Sequence, residues 1–130
     1  MTVEHPLSRR CIAGGALLML AAVVLGAFGA HALQPMLTPK QLASYSTGVT
    51  YQQLHAVGLV LLGLIARVTP PSPWLGRAAV LFVAGVALFS GSIYAMTFGA
   101  PRWLGMVAPI GGASFMLGWA AVAVHALRLR

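Results

Sequence analysis

The side chains most able to do chemistry in this chain sit in Tyr51-Gln52-Gln53-Leu54-His55, which opens the apolar run Ala56 to Ala66. A phenol, an amide and an imidazole can exchange hydrogen bonds, pass a proton or ligate a metal. On a helix, Tyr51, Gln52 and His55 share a face, because residues three and four apart are neighbours. Partners for such a cluster occur elsewhere: His31 in Gly26-Ala27-Phe28-Gly29-Ala30-His31, Ser90, Ser92 and Tyr94 in Ser90-Gly91-Ser92-Ile93-Tyr94, and Ser114. Polar groups at the mouth of an apolar helix cost free energy until they are satisfied, so these residues are expected to converge.

The same inventory limits the chemistry. Glu4 is the sole acid, so neither a carboxylate pair nor a Ser-His-acid set can be assembled, and no catalytic residue is assigned. Cys11 is the only cysteine, which excludes an intrachain disulfide and a site built on several thiolates. No metal site is assigned. His31 and His55 form the sharpest pair, readable as haem ligands, a proton relay or metal ligands. The competing reading has each imidazole bonded to Gln52, Ser90, Ser92 or Tyr94, locking helices together without a cofactor. His125 is expected at an exposed interface, and Trp119 to pack with its indole proton seeking a partner.

The elements that must hold these residues are apolar helices. Hydrophobic residues make up 59% of the 130 and charged residues 7%, too little charge to cover a soluble domain. The net charge of +7 does not point to nucleic acid, since the basic residues stand singly or in pairs at the ends of apolar runs. One membrane domain over residues 1–130 follows, with the lipid bilayer as its solvent. Its spans are expected near 11–33, 49–66, 77–97 and 103–127. The first is longer than the core of a signal peptide, although Arg9-Arg10 and Ala30-His31-Ala32 resemble parts of one. Thr38-Pro39-Lys40-Gln41 reads as a capping box, opening a short amphipathic helix before the second span or running straight into it. Small residues mark the packing faces: Ala22, Gly26 and Ala30 on the first span, Ala84, Ala87 and Gly91 on the third, and Gly111, Gly112 and Gly118 on the fourth. The architecture is an all-α, integral membrane four-helix bundle.

Four spans put both termini on one side. Arg9, Arg10, Arg67, Arg77, Arg128 and Arg130 would share that side, against Lys40 and Arg102 on the other, so both termini are expected in the cytoplasm of a bacterial inner membrane. The polar residues would then gather in the outer half, within about 10–15 Å of the outer surface.

Four segments carry a resemblance across nearly the whole chain. They are Gly26 to His31, Thr47-Gly48-Val49-Thr50-Tyr51-Gln52 with His55, Leu88-Phe89-Ser90-Gly91-Ser92-Ile93-Tyr94, and Ala108-Pro109-Ile110-Gly111-Gly112-Ala113-Ser114-Phe115 with Gly118-Trp119. In this order the chain resembles the small four-helix membrane proteins called domain of unknown function 423, found in bacterial inner membranes with a eukaryotic counterpart of similar size. Members often carry a carboxylate or tryptophan before the second span, where this chain has Ser44-Tyr45-Ser46. The resemblance implies four spans and transfers no activity. The expected function is that of a non-enzymatic accessory membrane protein, without a cofactor, working through helix packing in a homo-oligomer or a larger membrane complex. The alternatives are a ligand-binding or relay protein using the outer-half cluster, and a dimeric small-molecule transporter.

Overall fold

The computed structural model describes residues 5–129. Four helices are long and apolar enough to cross a membrane: α1 Pro6–His31, α2 Pro39–Val68, α3 Pro73–Thr97 and α4 Arg102–Leu127. Proline stands at the first helical position of α1, α2 and α3, where its missing N–H is no loss. At α2 the capping box is complete. The Thr38 side chain accepts from Gln41 N at 3.2 Å, and Gln41 Oε1 accepts from Thr38 N at 2.9 Å. That cap starts one unbroken helix of 30 residues, so the expected separate amphipathic segment is the first part of α2. Gly48 does not break it, because the α-helical ladder runs through and the glycine is used for contact with Ile93 and Tyr94.

α2 is the central element. α1 packs along it in an antiparallel seam and makes no more than marginal contact with the other helices. The buried residues of α1 are Ser8, Cys11, Gly15, Ala22 and Gly29, with Leu18 and Leu25 half-buried between them. Small residues at 8, 15, 22 and 29 therefore repeat every seven positions, the period that keeps one face on a crossing partner. The stripe expected at every fourth position drifts off this seam. Ala22 is fully buried and Gly26 meets the Val49 side chain, but Ala30 faces outward. Gly15 and Gly63 show why the seam needs small residues. A Cβ on Gly15 would lie 2.6 Å from Ala56 O, and one on Gly63 would lie 2.8 Å from Ser8 O.

α3 and α4 pack on the opposite side of α2 and along each other. Here rings sit on glycines. Phe82, 1% exposed, lies against Gly58 of α2 and Gly118 of α4, while Phe115 fills the place a Gly85 side chain would take. Gly111 abuts the backbone of Leu88 and Phe89, whereas nothing lies near a Cβ on Gly112. Of the small residues expected to pack, Gly111 and Gly118 are buried, Ala84, Gly91 and Gly112 are half-buried, and Ala87 faces outward. On α3 the buried face runs through Ala78, Phe82, Gly85 and Val86, which leaves Ala87 off it, and a π turn then spans Val86–Ser90, where the Gly91 N–H reaches back to Val86 O. One extra residue in that turn rotates everything after it, and the buried residues that follow are Ser90, Ser92 and Ile93. α4 opens with a 3-10 turn, Arg102–Met106, ahead of Pro109, which has no N–H to continue an α-helical ladder there.

Candidate functional site

The polar residues form three separate groups. The first lies between α1, α2 and α3. Gln52, 3% exposed, donates from Nε2 to Leu18 O at 2.9 Å, and its Oε1 accepts from the Tyr94 hydroxyl at 2.7 Å. One heptad earlier, the buried Tyr45 donates to Leu25 O at 2.6 Å and packs its ring on Tyr94 at 5.4 Å. Both bonds from α2 to α1 end on backbone carbonyls, and 45 to 25 and 52 to 18 keep the same antiparallel register. Ser90 closes the group by donating to Gly48 O at 2.7 Å, so α3 is tied to α2 at the π turn.

The second group centres on His55, 4% exposed, between α2 and α4. Trp119 Nε1 points at His55 Nε2 over 3.1 Å, and His55 Nδ1 lies 2.7 Å from Tyr51 O. An indole N–H only donates, so Nε2 must accept and the ring proton sits on Nδ1, donated to the Tyr51 carbonyl. Acceptance at Nε2 requires a neutral imidazole. The ring stacks on Phe115 with centroids 3.5 Å apart and meets the edge of Phe82 at 5.1 Å. Tyr51 continues the aromatic cluster toward Phe89 at 4.8 Å. Its own side chain is exposed rather than turned toward Gln52.

The third group lies at the end where α2 stops and α4 finishes. Thr69 donates to Ile65 O at 2.9 Å, which leaves its oxygen to accept from Nε2 of the buried His125 at 3.2 Å. Arg67 donates to the buried Ser8 at 3.0 Å, joining α2 to α1. Trp74 carries the Arg77 guanidinium 4.7 Å from its ring centre and that of Arg128 at 5.2 Å.

Several expectations are corrected by this geometry. His31 is exposed at the last residue of α1 and makes no hydrogen bond among the described residues, so the pair His31 and His55 does not exist in space. The helical drift explains it: position 29 faces α2, and 31 lies on the other side of α1. The partners of His55 are Tyr51 O and Trp119, not Ser92 or Tyr94. Ser92 is buried but bonds locally to Phe89 O at 2.9 Å, and Ser114 bonds Leu81 O at 2.7 Å between α4 and α3. His125 is buried rather than exposed.

Depth is also different. Leu18 and Ser114 fall at the midpoints of α1 and α4, so the cluster begins near the middle of the bundle and extends toward the His31 end. No group of three or more His, Cys, Asp or Glu that would hold a metal occurs among the described residues. Tyr45, Phe82 and Phe115 join the site beyond the residues expected to form it. The spacing of seven between Tyr45 and Gln52 was the readable sign for the first. The glycines that receive the two rings are distant in sequence and gave none.

Four apolar spans, a polar interior bonded from helix to helix and five of the six described arginines at one end define a multi-pass α-helical membrane protein. Residues 25–112 match the family model "Protein of unknown function (DUF423)", and the chain belongs to that family. Its relatives are named as membrane proteins. It is 38% identical over 114 residues to a "UPF0382 membrane protein" of Staphylococcus epidermidis, covering 88% of this chain and 92% of the relative. The identity is also 38% over 114 residues with YwdK of Bacillus subtilis, covering 88% and 93%. The "UPF0382 inner membrane protein YgdD" of Escherichia coli is 39% identical over 109 residues, covering 83% of this chain and 82% of that protein. No solved structure matches the chain.

Proposed function

We propose that this protein is a non-enzymatic accessory component of a bacterial inner membrane, with both termini cytoplasmic, acting through helix packing with itself or with other membrane proteins. The observation that carries this reading is the closure of its polar interior. Among the described residues no buried side-chain nitrogen or oxygen lacks a hydrogen-bond partner, and the buried bonds of Gln52, His55, Ser90 and Ser114 end on neighbouring helices or on the helix's own backbone. A catalytic or relay group needs a free lone pair or proton aimed at space a substrate can enter. An interior bonded to itself holds helices at fixed register, which is what such bonds commonly do in lipid. The outer faces of α1 and α4, with Leu17, Leu20, Val24, Met116 and Leu117 exposed, are apolar and suited to lipid or to other helices.

The inner-membrane placement rests on the name of the Escherichia coli relative, and the orientation on the six-to-two division of basic residues. Alkaline phosphatase fused after Arg130 should be inactive, and fused near Lys40 active; the reverse pattern overturns the orientation. Native mass spectrometry of the full chain in mild detergent should show polypeptide with lipid or protein partners. A retained chromophore whose Soret band vanishes in His55→Ala would overturn the accessory reading.

A further inference from the structure

α2 has three faces, and two of them are occupied. Tyr45, Gln52 and Ala56 meet α1, and Gly48, His55 and Gly58 meet α3 and α4. The third face carries Ser46, Thr50, Gln53, Val57, Leu61 and Leu64, spaced so that successive residues stay on one side of the helix. All are exposed except Gln53, which is half-buried.

Register fixes the depth of this face. The bonds from Tyr45 to Leu25 O and from Gln52 to Leu18 O set residues 45–52 of α2 level with 18–25 of α1. That part of α1 turns Leu20, Val23 and Val24 outward, 55–61% exposed, so it lies in hydrocarbon. Thr50 and Gln53 are therefore polar side chains facing out of the protein at hydrocarbon depth. A hydroxyl there has a local remedy, as Thr47 shows by donating to Ala43 O at 3.0 Å. Gln53 has none: its amide offers two donors and two acceptor positions, and no hydrogen bond joins it to another described residue. Lipid supplies nothing to it.

We infer that this face, centred on Gln53, is the surface on which a second copy of the chain docks. The inference rests on the accessory reading above and names its partner and its surface. The amide is its own complement, since the carbonyl of one accepts from the N–H of the other. Two copies inserted in the same orientation run parallel, so each residue of α2 meets its own counterpart across a two-fold axis. Gln53 then faces Gln53, with Thr50 beside it, and Val57, Leu61 and Leu64 continue the seam in apolar contact.

The test uses the full chain in a Cys11→Ala background, in proteoliposomes and in native membranes. Oxidation should crosslink Gln53→Cys to its own counterpart, and leave Leu17→Cys on α1 and Leu117→Cys on α4 uncrosslinked. Energy transfer between labelled copies should fall on lipid dilution, and Gln53→Leu should weaken association about three- to tenfold, the scale of transmembrane side-chain hydrogen bonds. Because the Gln53 amide bonds nothing among the described residues, Gln53→Leu should unfold like the parent, which separates lost docking from lost fold. A wild-type chain that stays monomeric, an unchanged dissociation constant for Gln53→Leu, or crosslinks at Leu17 or Leu117 instead would overturn the proposal. Crosslinking of Gln53→Cys solely to a different polypeptide would overturn the second copy as occupant while leaving the accessory reading standing.

Discussion

The two seams of α2 solve the same problem by different means. Toward α1, small residues every seven positions bring two backbones close, and the side chains of Tyr45 and Gln52 bond α1 carbonyls directly. Toward α3 and α4, Phe82 and Phe115 press onto glycines, and a single imidazole links α2 to α4 through Trp119. Lipid is as apolar as leucine, so neither seam gains from removing apolar surface from water. What remains is close packing and satisfied polarity. The first seam depends on backbone approach and the second on the shape of rings, and the two should respond differently to the same kind of change.

The largest difference should come from adding side chains at glycine. Gly15→Ala puts a Cβ 2.6 Å from Ala56 O and 2.9 Å from Val60 N, backbone atoms that can yield only if the helices part, and should cost about 3 kcal/mol. Gly118→Ala meets the Phe82 ring at 2.6 Å, where a ring shift relieves part of the clash, and should cost about 1–2 kcal/mol. Gly112→Ala meets nothing and serves as the neutral control. Reversible unfolding in mixed micelles would rank the three, and equal losses at Gly15 and Gly112 would break the account of the first seam.

His55→Ala comes next. It removes the stack on Phe115 and leaves the Trp119 N–H without its acceptor, so about 2 kcal/mol should be lost by the same assay. The indole emission of Trp119 should shift in parallel. An unchanged spectrum would mean that the Trp119 and His55 contact does not form in the membrane.

Smaller still is the polar coupling between Gln52 and Tyr94. Gln52→Leu and Tyr94→Phe each break the bond at 2.7 Å between them, so the double variant should cost less than the sum by about 0.6–1.7 kcal/mol. Strict additivity would remove Tyr94 from the group around Gln52. The smallest effect is expected at His31. His31→Ala should change stability by less than about 0.5 kcal/mol and add to His55→Ala without coupling, because the two histidines have no common partner.

Composition and run length were enough to establish a membrane protein with four spans, because the bilayer imposes length and apolarity on each helix separately. The capping box at Thr38 was legible for the same reason: Thr38 and Gln41 are local to one turn. So was the need for polar partners around Gln52 and His55. Which partners they took was decided by tertiary structure alone. On the first span Ala22, Gly26 and Ala30 recur every fourth position, but antiparallel contact with α2 selects a period of seven, which buries Gly29 and turns Ala30 outward. One extra residue in the π turn of α3 reset which face follows it, and no run of residue types announces that turn. His31 and His55 looked like a pair because both are rare in a membrane span. A side chain's direction depends on helix rotation, and rotation is set by the packing of residues that lie far apart in the chain.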